Sequence, residues 1–248
     1  MRRLTFILGY VVLFVFGSIT DGLSNTIIVG GNIINKTWTA AGSPYDVQGD
    51  ITVPVGAFLT IDAGTAVRFE PTDSQASGVD PSRVELIVNG TLTINSSPAS
   101  PIIMGPEVGQ SQSSWYGIII HNGGRVEANS QTYLDGSLFL QNGSVFSVSL
   151  KDSGDNGKIS LTGNLSIAGS LFLDIGGLSA QPNSPITLFD LAASSAVSGS
   201  FAGLPEGAKL VSGPFKFTIS YHGGNGNEVV LNPPHSPKAN PGLFLLLD

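Results

Sequence analysis

The sequence predicts an all-β chain wound as a solenoid of short strands, and three observations lead there. Apolar and polar residues alternate with period two in runs of three to five residues, which places one set of side chains on one face of a strand. Glycine- or proline-containing turns close these runs, as in Ile51-Thr52-Val53-Pro54-Val55-Gly56 and Leu59-Thr60-Ile61-Asp62-Ala63-Gly64. The chain of 248 residues carries 32 Gly and 15 Pro with only 12% charged residues, a punctuation too dense for helices and suited to many turns. Its 41% apolar content is enough for a core, so disorder is not expected.

The N-terminus reads as an export signal. Arg2 and Arg3 precede an apolar run from Leu4 to Phe16, and small and polar residues follow from Gly17. The run is shorter than the ~20 residues of a membrane span. Cleavage is expected after Gly22 or Ser24, so the mature chain begins near Asn25 and carries no stable membrane span. A net charge of −7 with 11 Lys+Arg leaves no basic patch for nucleic acid. The absence of Cys excludes disulfides, thiolate metal sites and a cysteine nucleophile.

From Thr26 to Phe69 the runs are short and closely punctuated. A hairpin sandwich needs longer strands joined by two-residue turns, whereas stacked coils need a corner every few residues. The clearest unit is Val84 to Ile94. Val84, Leu86 and Val88 alternate with Glu85, Ile87 and Asn89. Gly90 makes a corner, and Leu92 and Ile94 resume against Thr91 and Thr93. Residues 70–82 and 105–114 read as polar loops protruding from their coils. Thr37-Trp38-Thr39, Ser43-Pro44-Tyr45, Leu59-Thr60-Ile61, Leu86 to Leu92, Pro101-Ile102 and Trp115-Tyr116-Gly117-Ile118 occur in an order that resembles the opening coils of secreted right-handed parallel β-helix proteins. The resemblance covers about residues 26 to 122.

In the second half, Leu138, Leu140, Val145, Val148 and Leu150 are expected to line one wall of the core. Leu161, Leu165, Ile167, Leu171, Leu173 and Ile175 repeat the pattern, with Thr91, Thr93, Ser166 and Asp174 facing outward. The series Gly199-Ser200-Phe201, Leu204-Pro205-Glu206-Gly207, Ile219-Ser220-Tyr221 and Asn227-Glu228-Val229-Val230-Leu231 resembles the terminal unit of autotransporter-type passenger repeats, over about residues 134 to 231. That family usually continues into an outer-membrane barrel or a sorting anchor, and residues 232–248 read as neither. Together the resemblances imply an all-β, right-handed parallel β-helix with a C-terminal β cap. The expected division is a signal peptide (1–24), the β-helix (25–198), a capping unit (199–231) bearing Phe215, Phe217 and Tyr221, and a proline-rich tail (232–248). At ~20–25 residues per coil this gives roughly eight to ten coils.

No set of residues announces catalysis, a cofactor or a metal. A polysaccharide-cleaving β-helix needs clustered carboxylates, often with Ca²⁺, and an Arg or Lys base. The nearest approach is Asp46, Asp50 and Asp62 with Arg68; Arg125 is a second arginine to consider. His121, His222 and His235 share no ligand spacing. Gly223 to Leu231 falls short of a calcium nonapeptide because Glu228 replaces Asp and only one copy is present. Asp152 to Gly157 lacks the EF-hand spacing. Trp38, Tyr45, Trp115 and Tyr116 read as core packing before a sugar platform. Sequons occur at Asn35, Asn89, Asn95, Asn142 and Asn164; they would matter in a eukaryotic secretory route, and the passenger-type resemblance implies chance occurrence instead. The expectation is a secreted or cell-surface structural or adhesive protein with no catalytic activity. A polysaccharide lyase or polysaccharide-binding module is the alternative, and the expected partner is an extracellular polysaccharide or a cell-surface protein.

Overall fold

The computed structural model of the chain describes residues 25–234. The expected signal peptide, most of the expected tail, and His235 with it, lie outside the described residues. Glycine and proline corners interrupt the apolar runs before long hairpins can form, so each run finds its hydrogen-bonding partner in the next coil. The first coil holds β1 (Thr26–Ile28), β2 (Gly31–Asn32) and β3 (Lys36–Trp38), and the second β4 (Tyr45–Val47), β5 (Ile51–Val53) and β6 (Phe58–Asp62). The third holds β7 (Ala66–Phe69), β8 (Glu85–Val88) and β9 (Thr91–Asn95), and the fourth β10 (Ile103–Pro106), β11 (Gly117–Ile120) and β12 (Arg125–Ala128). The fifth holds β13 (Gln131–Leu134), β14 (Leu138–Leu140) and β15 (Val145–Lys151), and the sixth β16 (Lys158–Leu161), β17 (Leu165–Ile167) and β18 (Ser170–Gly177). A partial seventh coil of β19 (Ile186–Leu191) and β20 (Val197–Gly199) leads to β21 (Lys209–Ser212), β22 (Phe215–Gly223) and β23 (Glu228–Asn232).

Every third strand joins the same sheet. The first sheet runs β1-β4-β7-β10-β13-β16-β19, the second β2-β5-β8-β11-β14-β17-β20, and the third β3-β6-β9-β12-β15-β18. All these pairings are parallel, so the chain is a three-sided parallel β-helix. Each coil leaves an apolar edge that only the next coil, about 4.8 Å away, can cover. The inward columns show the result: Ile51, Leu86, Ile118, Leu138 and Leu165 are register partners, as are Val53, Val88, Ile120, Leu140 and Ile167, and all are buried. Burial of each such side chain contributes about 1.5–3 kcal/mol.

Three expectations change. Register partners Thr26, Tyr45, Val67, Met104, Leu134, Leu161 and Leu191 are 19, 22, 37, 30, 27 and 30 residues apart, so the described residues make six complete coils and part of a seventh. The count falls below eight because loops lengthen the later coils while the strands keep their size. Val145 faces outward, in register with Arg125, and Phe146 takes the buried place against Phe189 at 4.5 Å. Val145 is out of step with Leu138, Leu140, Val148 and Leu150, and the larger ring fills the core. Glu85, expected on the outer face, is completely buried.

Gly90 is a corner for the reason its setting supplies. A Cβ there would strike the carbonyl oxygens of Pro54 and Ala57 in the coil beneath, so stacking itself demands glycine.

At the C-terminal end the strand direction reverses. β23 pairs antiparallel with β19, β22 with β23, and β21 with β22. Phe201, Phe215, Phe217, Ile219 and Tyr221 are buried and belong to the same core as the coils. The Tyr221 hydroxyl donates to the Leu204 carbonyl (2.6 Å) and accepts from the Phe201 N–H (2.9 Å), tying the cap to the last turn. An antiparallel edge covers the exposed rung that a bare solenoid presents for aggregation.

Candidate functional site

The outer faces of the three sheets differ, and each places a different set of polar groups. On the third sheet the outward residues bond to one another from coil to coil. Asn95 Nδ2 donates to Asp62 (3.2 Å), Asn129 Nδ2 to Asn95 Oδ1 (2.7 Å), and Ser149 Oγ lies within hydrogen-bond reach of both Asn129 Oδ1 (2.9 Å) and Asp174 (3.2 Å). Beside this ladder Arg125 bonds Glu127 (2.6 Å) and Ser147 (2.8 Å) and lies 5.0 Å from the Phe172 ring centroid. Parallel in-register strands hold identical backbone spacing, so side chains of matching length meet at each step.

The first sheet carries an open groove of about 640 Å³ that crosses coils four to seven. Ile103, Tyr133, Ser160 and Asp190 form one column along it, and Asp135 and Thr162 flank them. Ile103 and Tyr133 are 46% and 40% exposed, large values for residues that could have packed. Asp135 accepts the Thr162 hydroxyl (2.5 Å), and Lys158 pairs with Asp190 at 3.5 Å. The groove thus combines apolar and aromatic surface with two carboxylates.

The second sheet is partly covered by the segment between β7 and β8, which the sequence presents as a protruding loop. It folds back instead, and three carboxylates hold it. Asp73 accepts the N–H groups of Asp50 (3.1 Å), Gln75 (2.9 Å) and Ser77 (2.7 Å). Asp50 accepts the Glu85 N–H (2.8 Å) and the Ser77 hydroxyl (2.7 Å). Glu85 accepts the N–H groups of Val79 (2.9 Å) and Asp80 (2.7 Å). Gly78 sits at φ +72°, and a Cβ there would meet both the Glu85 and Asp50 carboxylates. Only glycine fits that turn.

These carboxylates are not alike electrically. Burial pushes the Asp50 carboxyl up against the opposing bonds from Ser77 and Glu85, and the charges of Asp73 and Asp80 push the same way as burial. Burial likewise raises Glu85 against the N–H groups of Val79 and Asp80, with Asp50 and Asp80 adding to the rise. Asp80 is held down at about 2, first by the Ser82 hydroxyl and N–H and then by Arg83. Beyond the segment's tip lies a groove of about 460 Å³ between Val79, Tyr116, Phe139 and Asn142. Tyr116 stacks on Phe139 at 5.2 Å, and Arg83 lies 4.9 Å from the Tyr116 centroid.

The residues singled out in the sequence separate onto these faces. Asp46 and Arg68 are register partners on the first sheet, Asp50 lies beneath the 70–84 segment, and Asp62 belongs to the third-sheet ladder. The four do not converge. Arg125 is engaged on the third sheet. His121 bonds Asn89 (3.0 Å), and the exposed His222 lies 3.3 Å from Glu206. Trp38 stacks on Tyr45 at 4.7 Å and Trp115 on Phe69 at 3.9 Å, all buried, whereas Tyr116 borders the second-sheet groove. Gly224 and Gly226, both at positive φ, make the turn from β22 to β23, and Glu228 accepts the Thr187 hydroxyl (3.2 Å). Asp152 is held low by the Ser179 hydroxyl, Asn156 accepts the Lys151 N–H (2.7 Å) and Asp155 lies 3.7 Å from the Lys151 ammonium, so the polar groups of residues 152–157 are engaged by neighbouring segments. Among the described residues no group of three or more His, Asp and Glu is arranged to hold a metal ion, and no helix is long and apolar enough to cross a membrane.

Glu85 and Asp73 were missed by sequence reasoning. The available signal was a glutamate between two buried apolar residues, Val84 and Leu86, preceded by a segment rich in small N–H donors. Comparison of the chain with protein-family models and with curated proteins finds no match.

Proposed function

We propose that this chain is an exported, non-enzymatic β-helix of autotransporter-passenger type that acts as a stiff rod on or outside the cell and adheres through its first sheet. The observation that carries this reading is the open first-sheet groove, whose residues repeat coil by coil from Ile103 to Asp190. A strip with one contact per coil suits an extended partner. The carboxylates of the other two faces are engaged within the protein, Asp62 and Asp174 in the ladder and Asp50, Asp73 and Glu85 in holding the 70–84 segment, while in the groove Asp135 meets Thr162 and Asp190 meets Lys158 beside the exposed Ile103 and Tyr133. Export rests on the signal-like N-terminus, and the passenger-type assignment on the ordered motifs of residues 134 to 231.

A second reading, a polysaccharide-binding or polysaccharide-cleaving β-helix, is favoured by the exposed Tyr133 ring between Asp135 and Asp190 in the same groove. Aromatic surface beside hydroxyl acceptors is a common arrangement in ligand sites. The two readings separate in one experiment. Residues 25–248 are incubated with a polysaccharide panel with and without Ca²⁺, and cosedimentation and new chain ends are followed. Cleavage overturns the non-enzymatic reading. Binding lost in Tyr133→Ala assigns the groove to a glycan. No binding and no cleavage directs the search to protein partners of the rod.

A further inference from the structure

We propose that residues 73–83 form a proton-operated strap, clamped over the second sheet when the buried Asp50–Glu85 pair holds a proton and loosened when both are ionised, uncovering the groove beside Tyr116 and Phe139. This does not rest on the adhesive reading or on the identity of any partner.

The geometry begins with what holds the strap. Its N–H groups at Ser77, Val79 and Asp80 point at carboxylates, and the Ser77 hydroxyl reaches Asp50. The acceptors come from both sides of the contact, Asp73 from the strap itself and Asp50 and Glu85 from the sheet beneath. The Asp50 and Glu85 oxygens converge on one spot, the place a side chain of Gly78 would occupy. The charged groups packed around that spot are Asp73 and Asp80 from the strap, both acidic. Arg83, the strap's cation, is turned to Asp80 at 2.6 Å and to the Tyr116 ring. Two buried carboxylates therefore face each other with acidic neighbours and, among the described residues, no ion pair to a cation. One shared proton removes the repulsion and leaves oxygens free to accept the strap's N–H groups. Such a pair titrates as a unit.

The direction follows from linkage. Burial raises both carboxyls in the clamped state, so the clamped strap binds a proton more tightly than the released one. The stabilisation is fully present below the ordinary carboxylate range. It is lost as pH rises through the raised values of the clamped pair. Val79, at the strap's tip, lines one side of the Tyr116–Phe139 groove, so release opens that face.

The test is hydrogen exchange read by mass spectrometry on residues 25–248 at about pH 4.5 and about pH 7.5, with rates normalised to intrinsic exchange; each unit of pKa difference corresponds to about tenfold in protection. The expected result is that peptides containing Ser77, Val79 and Asp80 are at least ~10-fold more protected at the lower pH. Residues 107–114 serve as the internal control and show no such change. Glu85→Gln keeps an acceptor oxygen and places an amide donor towards Asp50; it is expected to stay protected and lose the pH dependence. Equal protection at both pH values in the unaltered protein, greater protection at the higher pH, or an unchanged dependence in Glu85→Gln overturns the proposal. If Glu85→Gln does not fold, Asp50→Asn takes its place, and the comparison in the unaltered protein decides by itself.

Discussion

Two long connections leave the first sheet in successive coils, and they behave oppositely. Both begin with a glutamate at the same register, Glu70 after Phe69 and Glu107 after Pro106. Both are polar and contain glycine and serine. The first folds back on the second sheet, and Asp73 within it is only 9% exposed. The second stands in solvent from Glu107 to Ser113, with Val108 66% exposed. Its internal bonds are short-range turns, Gln110 N–H to the Glu107 carbonyl and Ser113 N–H to the Ser111 hydroxyl. What separates them is the surface beneath. Asp50 and Glu85 offer acceptors to the first connection, whereas the outward residue of β11, Ile119, is apolar, Ile118 and Ile120 being turned into the core. A loop adheres to a solenoid when the coil below supplies buried partners for its backbone donors.

The contrast is broken most severely at the root of the second connection. Trp115 is buried, stacks on Phe69 and donates its Nε1–H to the Asp135 carbonyl at 2.8 Å. Trp115→Ala is expected to destabilise the whole protein by about 3–5 kcal/mol. Calorimetry should show the melting temperature falling by roughly 10 °C or more, with both connections affected through the shared core.

A smaller change erases the difference selectively. Asp73→Ala removes the acceptor for three backbone N–H groups, a local loss of about 2 kcal/mol. Hydrogen exchange in residues 73–83 should rise towards that of residues 107–114, while peptides of β8 and β9 stay protected. Loss of protection throughout the third coil would show that the strap supports the scaffold rather than lying on it.

The smallest effect sharpens the comparison. Arg83 pairs with Asp80 on the surface and covers Tyr116. Surface ion pairs contribute little, so Arg83→Ala should move the melting temperature by no more than about 2 °C. Strap protection should survive it, because the buried carboxylates do the holding. A collapse of protection in Arg83→Ala would transfer that role to the surface pair.

Much of the architecture was readable one run at a time. Leu86, Val88, Leu92 and Ile94 face inward as their alternation requires, and Gly90 marks the corner. Phe215, Phe217 and Tyr221 close the end of the core as a cap. The coil count was less readable, because a loop adds residues without adding a rung. Alternation also failed at Glu85. Period two states which face a side chain takes, and the outer face is normally wet. Here the strap covers it, and burial of a carboxylate there depends on N–H groups from Val79 and Asp80.

Local rules settled whatever depends on neighbours along the chain: strands by alternation, corners by glycine and proline, and stacking by apolar edges that no single coil can bury. Contacts between distant residues were decided by the folded chain alone. The sequence separations of 35 from Asp50 to Glu85 and 33 from Asp62 to Asn95 are spanned by coil closure, and register then sets which side chains meet. A sequence states the period of each strand, but the length of every loop between coils determines which carboxylate lies over which donor. That sum is completed only when the solenoid closes, and so the ladder, the first-sheet groove and the acid-held strap belong to the tertiary structure.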